Sequence, residues 1–199
     1  MNASVAIIDN GGANIASVRF ALERLGLEAR LTADPLELRS AGHVILPGVG
    51  AADDAMARLR TLGLVEVIRS LRQPVLGICL GMQLLFEASA EGETPGLGII
   101  PGRVAAIPAR PEHPVPHMGW NQLQAQRGSP LLEGVHDGDY VYFVHSFAAP
   151  VNAATIAQCE YTEPFAAIVQ QDNFYGMQFH PERSARVGAT LLENFMRLA

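Results

Sequence analysis

The chain has 199 residues, a formal charge of −6, and 14 basic residues that are all Arg. A chain without lysine excludes Schiff-base lysines, a phosphate-loop lysine and a Ser-Lys dyad from its own chemistry. The acidic balance, with no run of Arg, excludes the basic stripe of sequence-independent nucleic-acid binders. With 49% hydrophobic and 17% charged residues, against about 25% charged in an average domain, one soluble globular domain over residues 1–199 is expected.

Met1-Asn2-Ala3-Ser4 lacks the positive region of a signal peptide, and no apolar run approaches the ~18 residues that span a bilayer. A cytoplasmic protein without membrane contact is expected. Two cysteines, Cys79 and Cys159, are too few for a disulfide framework and fit free thiols in a reducing compartment.

Val5 to Asp9 is a short β-branched run ending at Asn10-Gly11-Gly12, after which Ile15, Val18, Leu22 and Leu25 recur at helical spacing. Leu31 closes a second short strand, Asp34-Pro35 carries the chemistry of a helix start, and His43 to Leu46 reads as a strand stopped by Pro47-Gly48. Ala51 to Leu71 is helical with a break near Gly63, Pro74 to Ile78 is a fully apolar strand, and Met82 to Ala88 reads as helix. Apolar strands alternating with helices predict an α/β fold with a central, mostly parallel sheet flanked by helices.

Pro and Gly are dense from Pro95 to Gly119, and short strands follow at Val104 to Ile107, Tyr140 to His145, Thr155 to Tyr161, Phe165 to Gln171 and Tyr175 to Phe179. These are expected to be partly antiparallel. A last helix from about Ser184 to Met196 carries Val187, Leu191, Leu192 and Phe195 on one face.

The sharpest chemical signal is Gly77-Ile78-Cys79-Leu80-Gly81, a thiol between two glycines where an apolar strand turns into a helix. This is the nucleophile-elbow pattern with Cys in place of Ser. The glycines let neighbouring backbone approach closely, and a thiol at a helix N-terminus is favoured as thiolate. Cys159, with no glycine nearby, reads as structural.

An elbow Cys needs a base. Of six histidines, His180 leaves a strand and precedes Pro181-Glu182, so that Glu182, two residues on in an extended stretch, can fix its ring. The triad is then Cys79-His180-Glu182. His145 has no acid at the same offset and reads as a hydrogen-bonded pocket residue, while His43, His113 and His136 read as surface residues. For the oxyanion, the N–H of Leu80 follows from elbow geometry, and Pro47-Gly48-Val49-Gly50 is a flexible source of the second donor at Val49. The same loop fails as a dinucleotide fingerprint because its third position is Asp53. No Cys or His spacing fits a metal site.

Cys79 in its elbow, His180-Pro181-Glu182 and the Pro47-to-Gly50 loop resemble the triad and oxyanion strand of class I, triad-type glutamine amidotransferases. Pro116-His117-Met118-Gly119-Trp120-Asn121, Tyr142-Phe143-Val144-His145-Ser146 and Ser17-Val18 after Gly12-Ala13-Asn14 resemble the glutaminase subunits of imidazole glycerol phosphate synthases, which belong to histidine biosynthesis. The resemblance implies a flavodoxin-like fold and glutamine hydrolysis through a γ-glutamyl thioester on Cys79, without a cofactor. It also implies a heterodimer in which ammonia passes to a cyclase subunit of (βα)8-barrel fold. Glutamine binding falls by similarity to Gly50, Gln83 and Tyr142, with backbone help from His145 and Ser146, and the partner interface to Asn14, Trp120 and Arg183. By chemistry alone, Gln83, one turn after Cys79, can hydrogen-bond the amino-acid head of the substrate, and Trp120 reads as core.

Two stretches depart from the family pattern: Arg183 stands where Lys is common, and Asn10-Gly11-Gly12-Ala13 replaces the usual opening. Two other functions stay open. One is a stand-alone thiol amidohydrolase on the same fold, and the other a non-catalytic ligand-binding or assembly subunit with a relic site.

Overall fold

The computed structural model describes residues 4–11 and 15–199. Strand β1 (Val5–Ile8) is buried throughout, and α1 (Ile15–Arg24) turns Val18, Ala21 and Leu22 inward, the stripe its spacing predicts. After β2 (Ala29–Thr32), the Asp34 carboxylate accepts from the Leu36 N–H and Pro35 opens α2 (Pro35–Ser40). Strand β3 (His43–Gly48) follows, then α3 (Ala52–Thr61) and α4 (Val65–Arg69), parted at Gly63 where φ is +67°. Strand β4 (Val75–Cys79) is buried along its length.

Beyond β4 the expected helix from Met82 to Ala88 is a single turn, α5 (Leu80–Gln83), and the chain then becomes β5 (Phe86–Ser89). The reason is long-range pairing. β5 pairs antiparallel with β6 (Thr94–Pro95) and parallel with β7 (Ile100–Ala106), and Gly96 and Gly98 donate N–H bonds to Glu87 and Phe86. The backbone groups of this segment are thereby taken up by the sheet instead of by a helix.

The rest comprises β8 (His117–Gln122), β9 (Gln124–Ala125), β10 (Tyr140–His145), β11 (Phe147–Ala148), β12 (Thr155–Glu160), β13 (Pro164–Gln171), β14 (Phe174–Met177) and the final α6 (Ala185–Met196). The main sheet has the order β2-β1-β3-β4-β14-β13-β12-β9, parallel from β2 to β14 and antiparallel from there to β9. β8 and β10 form an antiparallel ribbon, and β11, β7, β5 and β6 a third sheet.

Alternation along the strands divides the core in two. Ala6, Ile8, Val44, Leu46 and Val75 pack with Met56, Leu59 and Ile68, while Val5, Ile7, Ile45, Leu76 and Ile78 pack with Val18, Leu22, Leu191 and Phe195. Helices α3 and α4 thus cover one face of the sheet and α1 and α6 the other.

His43 corrects its expectation. It is buried on β3, with Nε2 3.0 Å from the Leu198 carbonyl and its ring edge-on to Phe195, because the end of α6 folds over it. His113 is half-buried, edge-on to Tyr161, and His136 is exposed. No helix among the described residues is long and apolar enough to cross a membrane.

From β1 the chain goes to β2 on one side and then to β3 on the other, so a topological switch lies at the carboxyl ends of β1 and β3. Crevices outside such strand ends are where open α/β sheets bind ligands. Asn10 bridges the switch, its Nδ2 donating to the Pro47 carbonyl at 3.0 Å.

Candidate active site

β4 ends on Cys79, whose φ of 53° and ψ of −113° place a non-glycine residue in the left-handed half of backbone space. Strain of this kind costs about 1–3 kcal/mol and persists only where the surroundings impose it. Here close packing imposes it. A Cβ on Gly77 would stand 2.6 Å from the Gly81 carbonyl oxygen, one on Gly48 2.7 Å from the Gly81 nitrogen, and one on Gly81 would collide with the Leu46 carbonyl. The elbow is wedged against the end of β3, where Gly48 pairs with Cys79. Because α5 has one turn, its dipole is short; the local N–H groups after Cys79 carry what remains of the expected field.

β14 lies beside β4, so the residues after it arrive next to the elbow. His180 lines the same cavity as Cys79, and its Nδ1 lies 2.8 Å from Glu182 Oε1. Both side chains are almost fully enclosed. The carboxylate reaches the ring from a 3-10 turn, Pro181–Arg183, and not from the extended stretch expected. The turn is itself clasped: the His180 N–H donates to the Tyr142 carbonyl, Ser184 Oγ donates to the His180 carbonyl, and the Tyr142 N–H donates to Ser184 Oγ. Burial works against the charged form of His180, but the hydrogen bonds and charges of Cys79 and Glu182 outweigh it and raise its pKa to about 10.

Cys79 and His180 open on a cavity of about 320 Å³, which Val49, Gly50, Leu80, Gln83, His145 and Ser146 also line. Gly50 has φ +92° with open space around its Cα. A larger cavity, about 590 Å³, lies beside β2 and α2, where Ser4, Arg30, Thr32 and Glu37 line it, and neither cysteine nor histidine borders it.

Tyr142 departs from its expected place and does not line the cavity. It sits one step farther out on β10 than Val144, opposite Trp120 in the β8–β10 ribbon. Its ring meets Trp120 edge-on at 5.9 Å and lies under the Arg183 guanidinium at 4.7 Å. Trp120 is 51% exposed, so it is a surface residue and not core. Trp120 and Arg183 therefore share one outer patch, while Asn14 lies outside the described residues.

Three residues escaped the sequence reading. Glu91 lines the cavity, with Oε2 accepting from the Ala52 N–H at 2.9 Å. His117 is buried and hydrogen-bonded to His145. Gln178 is fully buried, with Nε2 3.9 Å from Cys79 Sγ. Only Gln178 had a local cue, standing two residues before His180.

A family model described as glutamine amidotransferase class-I matches residues 6–199. The chain belongs to the class-I glutamine amidotransferase family. Among relatives of this amidotransferase, imidazole glycerol phosphate synthase subunit HisH of Xylella fastidiosa (strain Temecula1) is 55% identical over 98% of this chain and 97% of its own length. Subunit HisH 2 of Legionella pneumophila (strain Philadelphia 1) is 53% identical over 98% of each chain. A putative GMP synthase subunit from Thermoplasma acidophilum superposes with a TM-score of 0.75 at 19% identity, covering 98% of this chain and 93% of that one, which shows the amidotransferase fold. Another solved structure, titled glutamine amidotransferase, reaches 0.73 at 20% identity over 96% of both chains.

Proposed function

We propose that this amidotransferase is the glutaminase subunit of an imidazole glycerol phosphate synthase, working in the cytoplasm. The observation that carries the chemistry is the Cys79-His180-Glu182 constellation at the mouth of a cavity. The high identity to HisH subunits supports the pathway.

Glutamine enters with its side-chain amide at Cys79. Glu91 and the Gln83 carbonyl oxygen face its α-ammonium, since the Gln83 amide nitrogen is held by the Phe147 carbonyl and the Gln178 side chain. The thiolate attacks the amide carbon, and the N–H groups of Val49 and Leu80 receive the developing oxyanion. His180, holding the thiol proton, protonates the amide nitrogen as the C–N bond breaks, so ammonia leaves and a thioester remains on Cys79. His180 then takes a proton from water, which attacks the thioester carbon; glutamate departs and the proton returns to sulfur. Glu182 keeps the His180 ring oriented and stabilises its charge. Ammonia passes to a cyclase partner of (βα)8-barrel fold, which makes imidazole glycerol phosphate and AICAR, and Trp120, Arg183 and Asn14 meet that partner.

The test is reconstitution with a cyclase barrel and its nucleotide ligand. Glutamine-dependent product formation and a rise in glutaminase rate are expected. Full-rate hydrolysis that no barrel changes would make the chain a stand-alone amidohydrolase.

A further inference from the structure

Gln178 is fully buried beside the elbow, and in the hydrolysis above its one part is to hold Gln83. A glutamine amide can be turned two ways, and its neighbours decide which is right. The decision here begins at the Phe147 carbonyl, which can only accept. Gln83 lies 2.8 Å from that oxygen, so its Nε2 faces it. The same Nε2 lies 2.9 Å from the Gln178 side chain, so Gln178 turns Oε1 toward Gln83. Nε2 of Gln178 is thereby left facing Cys79 Sγ at 3.9 Å. His145 Nδ1 lies 2.8 Å from the same Phe147 oxygen and anchors the start of the chain.

We infer that Gln178 is a positioning residue that holds a buried N–H donor against the Cys79 sulfur and favours the thiolate. The inference rests on Cys79 being the nucleophile. A donor facing sulfur interacts more strongly with the anion than with the thiol, and burial keeps water from screening it. The Val144 carbonyl, also 3.9 Å from Sγ, accepts from the thiol and favours the protonated form. The titratable groups around the sulfur are His180 with Glu182 behind it, His145 on β10, with His117 beyond it on β8, and Glu91 in the cavity wall. Gln178 is uncharged, so its contribution holds across the pH range in which they titrate. Through Oε1 it also connects the sulfur to Gln83, and hence nucleophile to substrate head.

The test is the pH dependence of Cys79 alkylation by iodoacetamide, with peptide mapping, in the native protein and in Gln178→Met and Gln178→Glu. In Gln178→Met the midpoint should rise by about one pH unit, a roughly tenfold loss of reactivity at any pH well below the native midpoint, with the high-pH plateau retained. Gln178→Glu, which still accepts from Gln83 but sets a carboxylate against sulfur, should move the midpoint further. An unchanged midpoint in either variant, or a plateau that falls while the midpoint stays, overturns the inference. In the unaltered protein the Gln178 side-chain N–H₂ signals in a ¹⁵N NMR titration should follow the midpoint of Cys79 reactivity; signals that do not would overturn it with no variant needed. If Cys79→Ala keeps full glutaminase activity in the complex, the proposed function fails, whereas an essential Cys79 with an unmoved midpoint defeats only the role of Gln178.

Discussion

His117 and His145 share one hydrogen bond, Nδ1 to Nε2 at 3.0 Å, inside the core beneath the cavity. They face each other across the ribbon, and since His145 Nδ1 donates to the Phe147 carbonyl, its Nε2 must accept and His117 Nδ1 must donate. The two rings cannot both be protonated, because two N–H groups would then face each other. Burial, helped by the charge of His113, lowers the pKa of His117 to about 4. Burial also lowers that of His145 to about 3, the Phe147 carbonyl opposing and His117 and His180 adding to it.

The sign of the resulting pH dependence follows. Below the ordinary histidine value of about 6.5 the unfolded chain binds protons that the folded chain refuses, so stability falls with acid. Each histidine costs about 1.4 kcal/mol per pH unit between that value and its folded one. His180, raised instead of lowered, keeps its full contribution in this window and loses it only as pH climbs from about 6.5 toward about 10. Urea unfolding of the native protein at pH 7, 6 and 5 should therefore show a steep loss. In His117→Phe the protein should be less stable at pH 7 by about 1–3 kcal/mol, from the unpaired His145 nitrogen, but with a shallower acid slope. An equal slope in the two proteins would mean that the dyad is not the titrating element.

The two thiols should react very differently with a glutamine-analogue electrophile. Cys79 borders the cavity, whereas Cys159 is enclosed and burial, together with Glu160, pushes its pKa up to about 12 against the Glu160 carbonyl's pull. Modification at Cys79 alone is expected from peptide mapping; equal labelling would remove the elbow assignment.

Cys79→Ala should abolish glutamine-dependent synthesis in the reconstituted complex and leave synthesis from ammonium salt intact, because the nucleophile serves only ammonia release. His180→Ala should do the same. His145→Ala should keep measurable turnover with a raised KM for glutamine, since its ring holds the Phe147 carbonyl that orients Gln83. The reverse order of the two histidines would show His145 to be the base.

Gly50→Pro should blunt the activation of glutaminase by cyclase and nucleotide. Gly50 sits at φ +92°, which proline cannot adopt, so the Val49 peptide would lose its freedom to turn toward the oxyanion. One missing oxyanion donor is worth about 10²–10³ in turnover, and the expected loss is of that order, with Cys79 still alkylatable and the complex still assembling. Activation of normal size in Gly50→Pro would place the control elsewhere.

The elbow was legible because its requirement is local: strand, glycine, thiol, glycine, each within two residues of Cys79. His180 and Glu182 were legible for the same reason, although the carboxylate arrives by a 3-10 turn. The rest depends on partners far along the chain. The apolar run after Met82 suits a helix or a strand equally, and only pairing with β7 decides for β5. His117 meets His145 through ribbon register, which its own surroundings do not show, and Gln178 meets Gln83 and Cys79 from just past β14, where its place two residues before His180 is the one local cue. His43 reads as surface from its polarity alone, and its cover comes from Phe195 and Leu198, more than 150 residues away.

Tyr142 divides its duties between two parts of one residue. Its ring belongs to the outer patch with Trp120 and Arg183, but its carbonyl holds the His180 N–H and its own N–H is held by Ser184. The grip on His180 is main chain and indifferent to side-chain identity. The outer face of this protein can therefore be rewritten at position 142, to suit a different docking surface, without cutting the tether of His180.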